Sequence, residues 1–369
     1  MNRSFWIDLI RVVGALFVVA IHVSGRIAGG YAVEESAVSL GLAGLVSRCF
    51  CSACSKVAVS LFVMVSGALL LGRSDTLGEF YQKRFGKILL PFFAWNCIFI
   101  ASLWIAGQSL KDGTPITLTS SIGAIFSGGV SGHFWFMYML ISLYLVAPFL
   151  SVFVRNAPKN MLTGFLALWF VAIVIFPLFH NVVKETLGIA EISKDFRFEL
   201  VSLWVGFFVA GYVLKDVLIS KRWALIALVA WCCFSIAGPV SGYLKNAYPD
   251  SSLSSLLVFT GKYVLPVAAC QVTLTVIAFL ALRSLGDLPS LASSRFGKMV
   301  IFTAPLTFGI YLSHHLLLTP VMKKLNLGGC NSWIIVSCAI PTLTIFFYFA
   351  TAAGIYVLRR SRYLKFLVP

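Results

Sequence analysis

Three ionisable side chains, Asp8, Arg11 and His22, interrupt the first apolar run of the chain, IDLIRVVGALFVVAIHVSG at residues 7–25. Ionisable groups are costly in hydrocarbon, so they usually face protein or a water-filled cavity. Because an α-helix turns about 100° and rises about 1.5 Å per residue, Arg11 and His22 share one face and lie about 16 Å apart. Asp8 precedes Arg11 by three residues, which is within reach of an ion pair.

This polar stripe suits a group transfer that starts from an anionic donor. An imidazole can take a proton from a hydroxyl and return it, and a guanidinium can hold a phosphate or a carboxylate. In this interpretation Asp8 fixes Arg11 and performs no chemistry. The alternative is that Asp8 and Arg11 form an anchoring ion pair, and that His22 only bonds a neighbouring helix.

The composition places these residues in a membrane protein. Of the 369 residues, 59% are hydrophobic and only 11% are charged, whereas soluble domains carry about 25% charged residues. The net charge of +16 is typical of basic residues collected on cytoplasmic loops. We therefore expect a lipid bilayer as a partner, and no nucleic acid.

The apolar runs predict an all-α integral membrane protein, a bundle of about ten transmembrane helices in one domain over residues 1–369, with no appended soluble domain. The predicted spans are 8–29, 57–72, 88–107, 133–154, 161–180, 199–215, 222–240, 257–283, 299–320 and 332–358. With the N-terminus inside, most Lys and Arg residues fall on inner loops, which predicts that both termini are cytoplasmic. Predicted outer loops cover 30–56, 108–132, 181–198 and 241–256.

Cysteines do not suggest a metal site. Cys49, Cys51 and Cys54 form the main cluster among nine cysteines, and no further ligand pair follows them. We expect no metal.

The opening segment and four later ones resemble segments of the membrane-bound acyltransferase 3 family and occur in the same order. The resemblance extends over nearly the whole chain. In that family the first helix carries an arginine, ten further residues and then a histidine. Arg11 and His22 match this spacing, and Asp8 stands just before them. The others are SLFVMVSGALLL (60–71), FYQKRFGKILLPFFAW (80–95), HFWFMYMLISLYLVAPFL (133–150) and FGIYLSHHLLL (308–318). One departure is Lys87, where the family often has arginine.

This resemblance implies O-acylation of an exported glycan. An acyl group, most often acetyl, would pass from cytoplasmic acyl-CoA to a hydroxyl of a cell-envelope glycan or a lipid-linked sugar. The similar proteins are O-acetyltransferases of O-antigen, part of lipopolysaccharide, and of enterobacterial common antigen. The implied location is the bacterial inner membrane, with several spans. Acetyl-CoA would be a co-substrate, and no bound cofactor is expected.

The resemblance and the residue chemistry together assign donor-side roles. His22 is the predicted general base, or a transient acyl carrier. Arg11, Arg84 and Lys87 are predicted to hold the CoA phosphates, although anchoring at the cytoplasmic side would look the same. Ser66 is predicted either to pack helices or to contact the donor.

Acceptor-side roles are assigned to a second group. His133, Trp135 and Tyr138 begin one predicted helix, where aromatic rings serve as interface anchors or as a platform for a sugar. His314 is expected at a depth similar to that of His22, either in the same cavity or in a structural hydrogen bond. Its neighbour His315 should point about 100° away.

Two other functions are compatible with the same residues. A charged stripe inside a membrane could also serve a transporter or flippase of a polysaccharide or lipid-linked sugar. It could instead serve only helix packing and assembly. A flippase would need no acyl-CoA and would leave the glycan mass unchanged.

Overall fold

The computed structural model describes residues 4–27, 41–176, 179, 203–248 and 267–368. Within these ranges every regular element is helical. The first seven helices are α1 Phe5–Ser24, α2 Gly41–Ser55, α3 Ala58–Leu70, α4 Leu77–Ile105, α5 Leu118–Ser127, α6 Trp135–Asn156 and α7 Lys159–Phe170. The next seven are α8 Leu203–Leu214, α9 Lys221–Ala247, α10 Val267–Leu285, α11 Pro289–Ser293, α12 Arg295–Thr303, α13 Thr307–Leu325 and α14 Trp333–Arg360.

Seven helical segments among the described residues are long and apolar enough to cross a membrane. They are Phe5–Ser24, Gly41–Leu70, Leu77–Ile105, Gly132–Asn156, Lys221–Ala247, Arg295–Leu325 and Trp333–Arg360. Each overlaps one predicted span. The other three predicted spans correspond to the shorter apolar helices Lys159–Ile175, Leu203–Leu214 and Gln271–Leu285, which adjoin residues outside the described ranges. The all-helical membrane architecture is therefore confirmed, while the count of about ten stays a prediction.

Two predicted outer loops contain helices instead. Within 30–56, residues 41–55 form α2, and within 108–132, residues 118–127 form α5. Their Gly and Ser residues resemble loop composition, so neither helix was predicted. Packing against α1, α9 and α14 stabilises α2, whereas α5 begins with a capping box of Thr117 and Ser120. The predicted loop 181–198 lies outside the described residues, and the described part of 241–256 mostly continues α9.

The first helix lies at the centre of the bundle. It contacts α2, α3, α10, α12, α13 and α14, and most of its apolar side chains are buried. Trp6 packs edge-on against Phe279 at 6.0 Å between ring centroids, and the Arg283 guanidinium lies 5.0 Å from the Trp6 ring centroid. This central position explains how α1 can hold ionisable groups away from lipid.

Backbone contact joins α3 to α8. A Cβ added at Gly67 would lie 1.8 Å from the Phe208 carbonyl oxygen, and one added at Gly211 would lie 1.9 Å from the Met64 carbonyl oxygen. Only glycine permits so close an approach. These two contacts fix α3, which carries Phe62 and Ser66, against the bundle.

The start of α4 is capped by a short polar turn. Thr76 accepts a hydrogen bond from the Glu79 backbone N–H, and Glu79 accepts one from the Thr76 N–H, which together form a capping box. Asp75 accepts hydrogen bonds from Lys83 at 3.2 Å and from Arg73 at 3.0 Å. The Lys83 hydrogen bond, followed by that from Arg73, lowers the pKa of Asp75. This turn sets the direction in which α4 enters the bundle.

Candidate functional site

A cavity of about 800 Å³ opens among α1, α3, α4, α6, α13 and α14. Its polar lining comes from residues near one end of the bundle. These residues are Ser4, Asp8, Arg11, Ser66, Lys87 and Arg359, and Tyr144, Thr307 and Tyr311 add further hydroxyl groups. The volume falls in the range of small-molecule sites, and three of these side chains are cations.

The charged groups of the cavity differ in exposure. Asp8 is buried at 3% exposure, Arg11 is half-buried, and Lys87 and Arg359 are exposed. The Arg359 guanidinium also donates a hydrogen bond to the Pro305 carbonyl at 3.3 Å. An anion entering this end would therefore meet exposed cations first and the half-buried Arg11 deeper inside.

Aromatic side chains line the inner part of the cavity. Phe62 and Phe136 lie 6.1 Å apart, and Phe136 and Tyr311 lie 5.0 Å apart, measured between ring centroids. We call Phe62, Phe136 and Tyr311 the aromatic layer. The Tyr311 hydroxyl donates a hydrogen bond to the His133 carbonyl, which holds this layer in place.

Beyond the aromatic layer lie four histidines, His22, His133, His314 and His315, which we call the histidine cluster. The His22 ring centroid lies 5.2 Å from that of His314 and 4.3 Å from that of His315. The His133 ring stacks on that of His315 at 4.5 Å with an interplanar angle of 3°. The Tyr311 ring is 5.8 Å from that of His133, so the cluster adjoins the cavity.

Hydrogen bonds fix the orientation of two of these rings. In His133, Nε2 lies 3.3 Å from the Leu312 carbonyl, and Nδ1 lies 2.8 Å from the Ser131 hydroxyl. Because a carbonyl only accepts, Nε2 carries the proton and Nδ1 accepts from the hydroxyl. Both nitrogens of His133 are therefore occupied.

His314 has the opposite tautomer. Its Nδ1 lies 3.1 Å from the Ile310 carbonyl and 2.8 Å from the Tyr311 carbonyl, so Nδ1 carries the proton. The lone pair then resides on Nε2, which is buried and has no hydrogen-bond partner among the described residues. Such a nitrogen can accept a proton or a ligand.

The structure brings together most of the predicted residues, in two groups. Asp8, Arg11, Ser66 and Lys87 meet in the cavity, while His22, His133 and His314 meet in the histidine cluster.

Three predicted residues belong to neither group. Arg84 does not line the cavity; it shares a helix face with Lys87 and Ile88, which do, but lies one turn nearer the start of α4. Trp135 is 48% exposed and lies 5.6 Å from the Trp204 ring. Tyr138 donates its hydroxyl proton to the Ile125 carbonyl.

Sequence reasoning missed Arg359, Tyr311 and His315. Arg359 resembled an ordinary anchoring residue at a helix end, and Tyr311 resembled a core aromatic. His315 was expected to point away from His314, but the His22 ring contacts both rings of the consecutive pair. The two consecutive histidines in the sequence were the signal from which His315 could have been identified.

Comparison with known proteins identifies the family. A family model described as an acyltransferase domain, the acyltransferase 3 type, matches residues 4–359. No curated protein matches the chain, and neither does any solved structure. Because the matched region covers nearly all of the 369 residues, the chain belongs to the acyltransferase 3 family.

Proposed function

We propose that this protein is a membrane-embedded O-acyltransferase that moves an acetyl group from cytoplasmic acetyl-CoA to a hydroxyl of an exported cell-envelope glycan or its lipid-linked precursor. The observation that carries the proposal is the contact between the two groups of residues: a cation-lined cavity ends at the aromatic layer, and the histidine cluster lies directly behind it. Donor and acceptor would thus approach from opposite sides.

The cavity suits the donor. Arg11, Lys87 and Arg359 would hold the phosphates of CoA, because cations and phosphate oxygens form strong charge-assisted hydrogen bonds. Asp8 would keep Arg11 in place. The apolar inner part, with Phe62 and the other aromatic side chains, would take the pantetheine arm and the thioester.

The histidine cluster suits activation of the acceptor. His22 would take the proton of the acceptor hydroxyl while its oxygen attacks the thioester carbonyl carbon. The C–S bond then breaks, CoA leaves with the electron pair, and the sulfur takes up the proton that His22 removed, which leaves His22 neutral again. In a variant of this mechanism His22 itself carries the acetyl group before the sugar accepts it. Tyr311 must move aside in either case.

The location follows from the same proposal. The cavity end of the bundle would face the cytoplasm, as the positive-inside rule predicts, and both termini would lie on that side. The membrane would be the bacterial inner membrane. The acceptor would approach the histidine cluster from the exported side.

Transfer of labelled acetyl tests the proposal. Membranes containing the protein, or the His22→Ala variant at matched abundance, receive acetyl-CoA labelled in the acetyl group. We expect alkali-labile label in the envelope glycan with the parent protein and none with the variant. Ile21→Ala is the matched control, since it truncates the adjacent half-buried side chain and should leave labelling intact.

Two results would contradict this proposal. Equal labelling by parent and His22→Ala would remove His22 from the reaction. Absence of label, with glycan export that depends on the protein, would indicate a transporter instead.

A further inference from the structure

The strongest unassigned feature is a set of three imidazoles that converge behind the aromatic layer. One ring nitrogen from each of His22, His314 and His315 lies within 4.8 Å of the other two. His22 comes from α1 and the other two from α13, so two helices distant in sequence build the set. We propose that these three histidines form a binding site for a transition metal of the Zn²⁺ type.

Unmet hydrogen-bonding capacity supports the site. The Nε2 atoms of His314 and His315 are buried and have no hydrogen-bond partner among the described residues. Buried polar atoms are nearly always paired with protein, with water or with an ion. His314 is 0% exposed, so its lone pair points into the protein interior. Two such nitrogens beside a third imidazole constitute a ligand set.

The outer hydrogen bonds match those of metal-bound histidines. A ligating histidine usually donates its second N–H to a carbonyl or another acceptor, which fixes the ring. His314 does so through Nδ1 to the backbone carbonyls of Ile310 and Tyr311. His315 Nδ1 lies 3.4 Å from the Thr319 hydroxyl oxygen, which can accept its proton.

The fourth histidine does not belong to the site. Both nitrogens of His133 are engaged, with Ser131 and with Leu312, so no lone pair remains for an ion. Its stacking on His315 supports that ring without ligating. This difference among four neighbouring histidines provides an internal control.

Geometry and ligand type favour zinc. In a tetrahedral site with Zn–N distances of about 2.0–2.1 Å, neighbouring nitrogens lie about 3.3 Å apart. The present rings would need to close by at most about 1.5 Å, which side-chain rotation can supply. Imidazole ligands suit zinc, copper and nickel, whereas Mg²⁺ and Ca²⁺ prefer oxygen. Three ligands leave one position open.

Charge indicates what fills the open position. The Arg26 side chain contacts the His22 carbonyl at 3.5 Å and the Thr319 hydroxyl at 3.3 Å, so a cation already lies beside the site. A bound dication would therefore need an anion, such as hydroxide, as its fourth ligand. Because a ligating His22 has no lone pair left to take a proton, zinc-bound protein would not carry out the proposed transfer, and the ion would act on it as an inhibitor.

Metal content of the purified full chain tests this site. The protein is purified in detergent with a tag that contains no histidine, equilibrated with zinc, and freed of unbound zinc. Elemental analysis should find about one zinc per chain, and Co²⁺ added to the zinc-free protein should give the visible absorption of four-coordinate cobalt. X-ray absorption should show nitrogen neighbours at about 2.0–2.1 Å.

Variants assign the metal to its ligands. His22→Ala, His314→Ala and His315→Ala should each weaken zinc binding by more than the 10–100-fold typical of outer-shell changes. His133→Phe, which keeps an aromatic ring, should retain it. Where an Ala variant does not run as a monodisperse peak in gel filtration, the corresponding Gln variant replaces it. The triple variant Cys49→Ser, Cys51→Ser, Cys54→Ser should also retain zinc.

Three results would overturn the site: less than about one-tenth zinc per chain in the parent protein, unchanged zinc in His314→Ala, or zinc lost only with the cysteines. The inference is independent of the proposed function. Full-rate acetyl transfer with the site filled by zinc would refute His22 as the general base, whereas zinc binding without transfer by either the zinc-free or the zinc-loaded protein would refute the proposed function and leave the site.

Discussion

Arg359 and Arg360 offer a direct test of the cavity as a donor site. They are consecutive residues at the end of α14, and both are exposed. Arg359 lines the cavity, whereas the Arg360 guanidinium lies 4.7 Å from the Tyr356 ring centroid and does not line it. Arg359→Gln and Arg360→Gln therefore remove the same charge from the same helix end, and only the first removes it from the cavity.

The expected magnitude follows from exposure. An exposed cation contributes up to about 1 kcal/mol to an ion pair, which corresponds to about a fivefold change in affinity. Arg359→Gln should therefore raise the KM for acetyl-CoA up to about fivefold, with kcat little changed. Arg11→Gln removes a half-buried group, for which a charge-assisted hydrogen bond is worth about 1.5–3 kcal/mol, or about 10–150-fold.

The assay measures initial rates of acetyl transfer against acetyl-CoA concentration in membranes with matched protein abundance. The KM for acetyl-CoA should be highest in Arg11→Gln and next highest in Arg359→Gln. The KM of Arg360→Gln should equal that of the parent protein. The effect of Arg359→Gln should shrink as salt is added, because exposed charges are screened. Equal KM values for the Arg359 and Arg360 variants, or an unchanged KM in Arg11→Gln, would refute the assignment of the donor to this cavity.

Three further predictions concern packing, the aromatic layer and the turn before α4. Gly67→Ala should lower the free energy of unfolding in detergent by about 1–3 kcal/mol or more, because its Cβ would lie 1.8 Å from a backbone carbonyl oxygen of α8. Gly164→Ala is the matched control, because a Cβ at Gly164 meets nothing within 4 Å. Equal melting temperatures for the two variants would contradict the contact. Tyr311→Phe removes one hydrogen bond that holds the aromatic layer, worth about 1 kcal/mol. If the layer keeps water from the bound thioester, hydrolysis of acetyl-CoA in the absence of acceptor should rise up to about fivefold. A slower rate of hydrolysis would refute this role of the layer as a barrier. Asp75→Asn removes the carboxylate that accepts a hydrogen bond from Lys83. Because the pKa of Asp75 is lower in the folded state, the stability that this carboxylate adds is present at neutral pH and disappears as the pH falls through the folded pKa. A difference in melting temperature between variant and parent that does not shrink in acid would contradict this prediction.

The sequence allowed the membrane-spanning segments and part of the site to be predicted, because those features depend on local patterns. Within the described part of the chain, each long apolar run forms a helix, since length and apolar composition suffice to identify one. The helical period placed Asp8 and Arg11 on a common side of α1, and both do line the cavity.

Features that depend on contacts between distant segments could not be predicted. His22 and His315 are far apart in sequence, and only the packing of α1 against α13 brings their rings to 4.3 Å. Trp135 and Tyr138 were expected to be either interface anchors or a platform for a sugar, and the rotation of α6 places Phe136 and Leu140, and neither of these two, on the cavity. Helix rotation is set by neighbours, which a single amphipathic pattern does not specify.

The aromatic layer also has an electrical consequence for a cell that maintains a membrane potential. Moving one elementary charge through 100 mV is worth about 2.3 kcal/mol, so any step that drags CoA phosphates across the layer would respond strongly to voltage. With the cations of the cavity holding those phosphates on one side of Tyr311, the acetyl group passes outward without the C–S electron pair, and the proton of the acceptor hydroxyl passes inward through His22 to the CoA sulfur. The transfer would then be electroneutral, would proceed equally in energised and depolarised membranes, and would not drain the ion gradients on which the membrane depends.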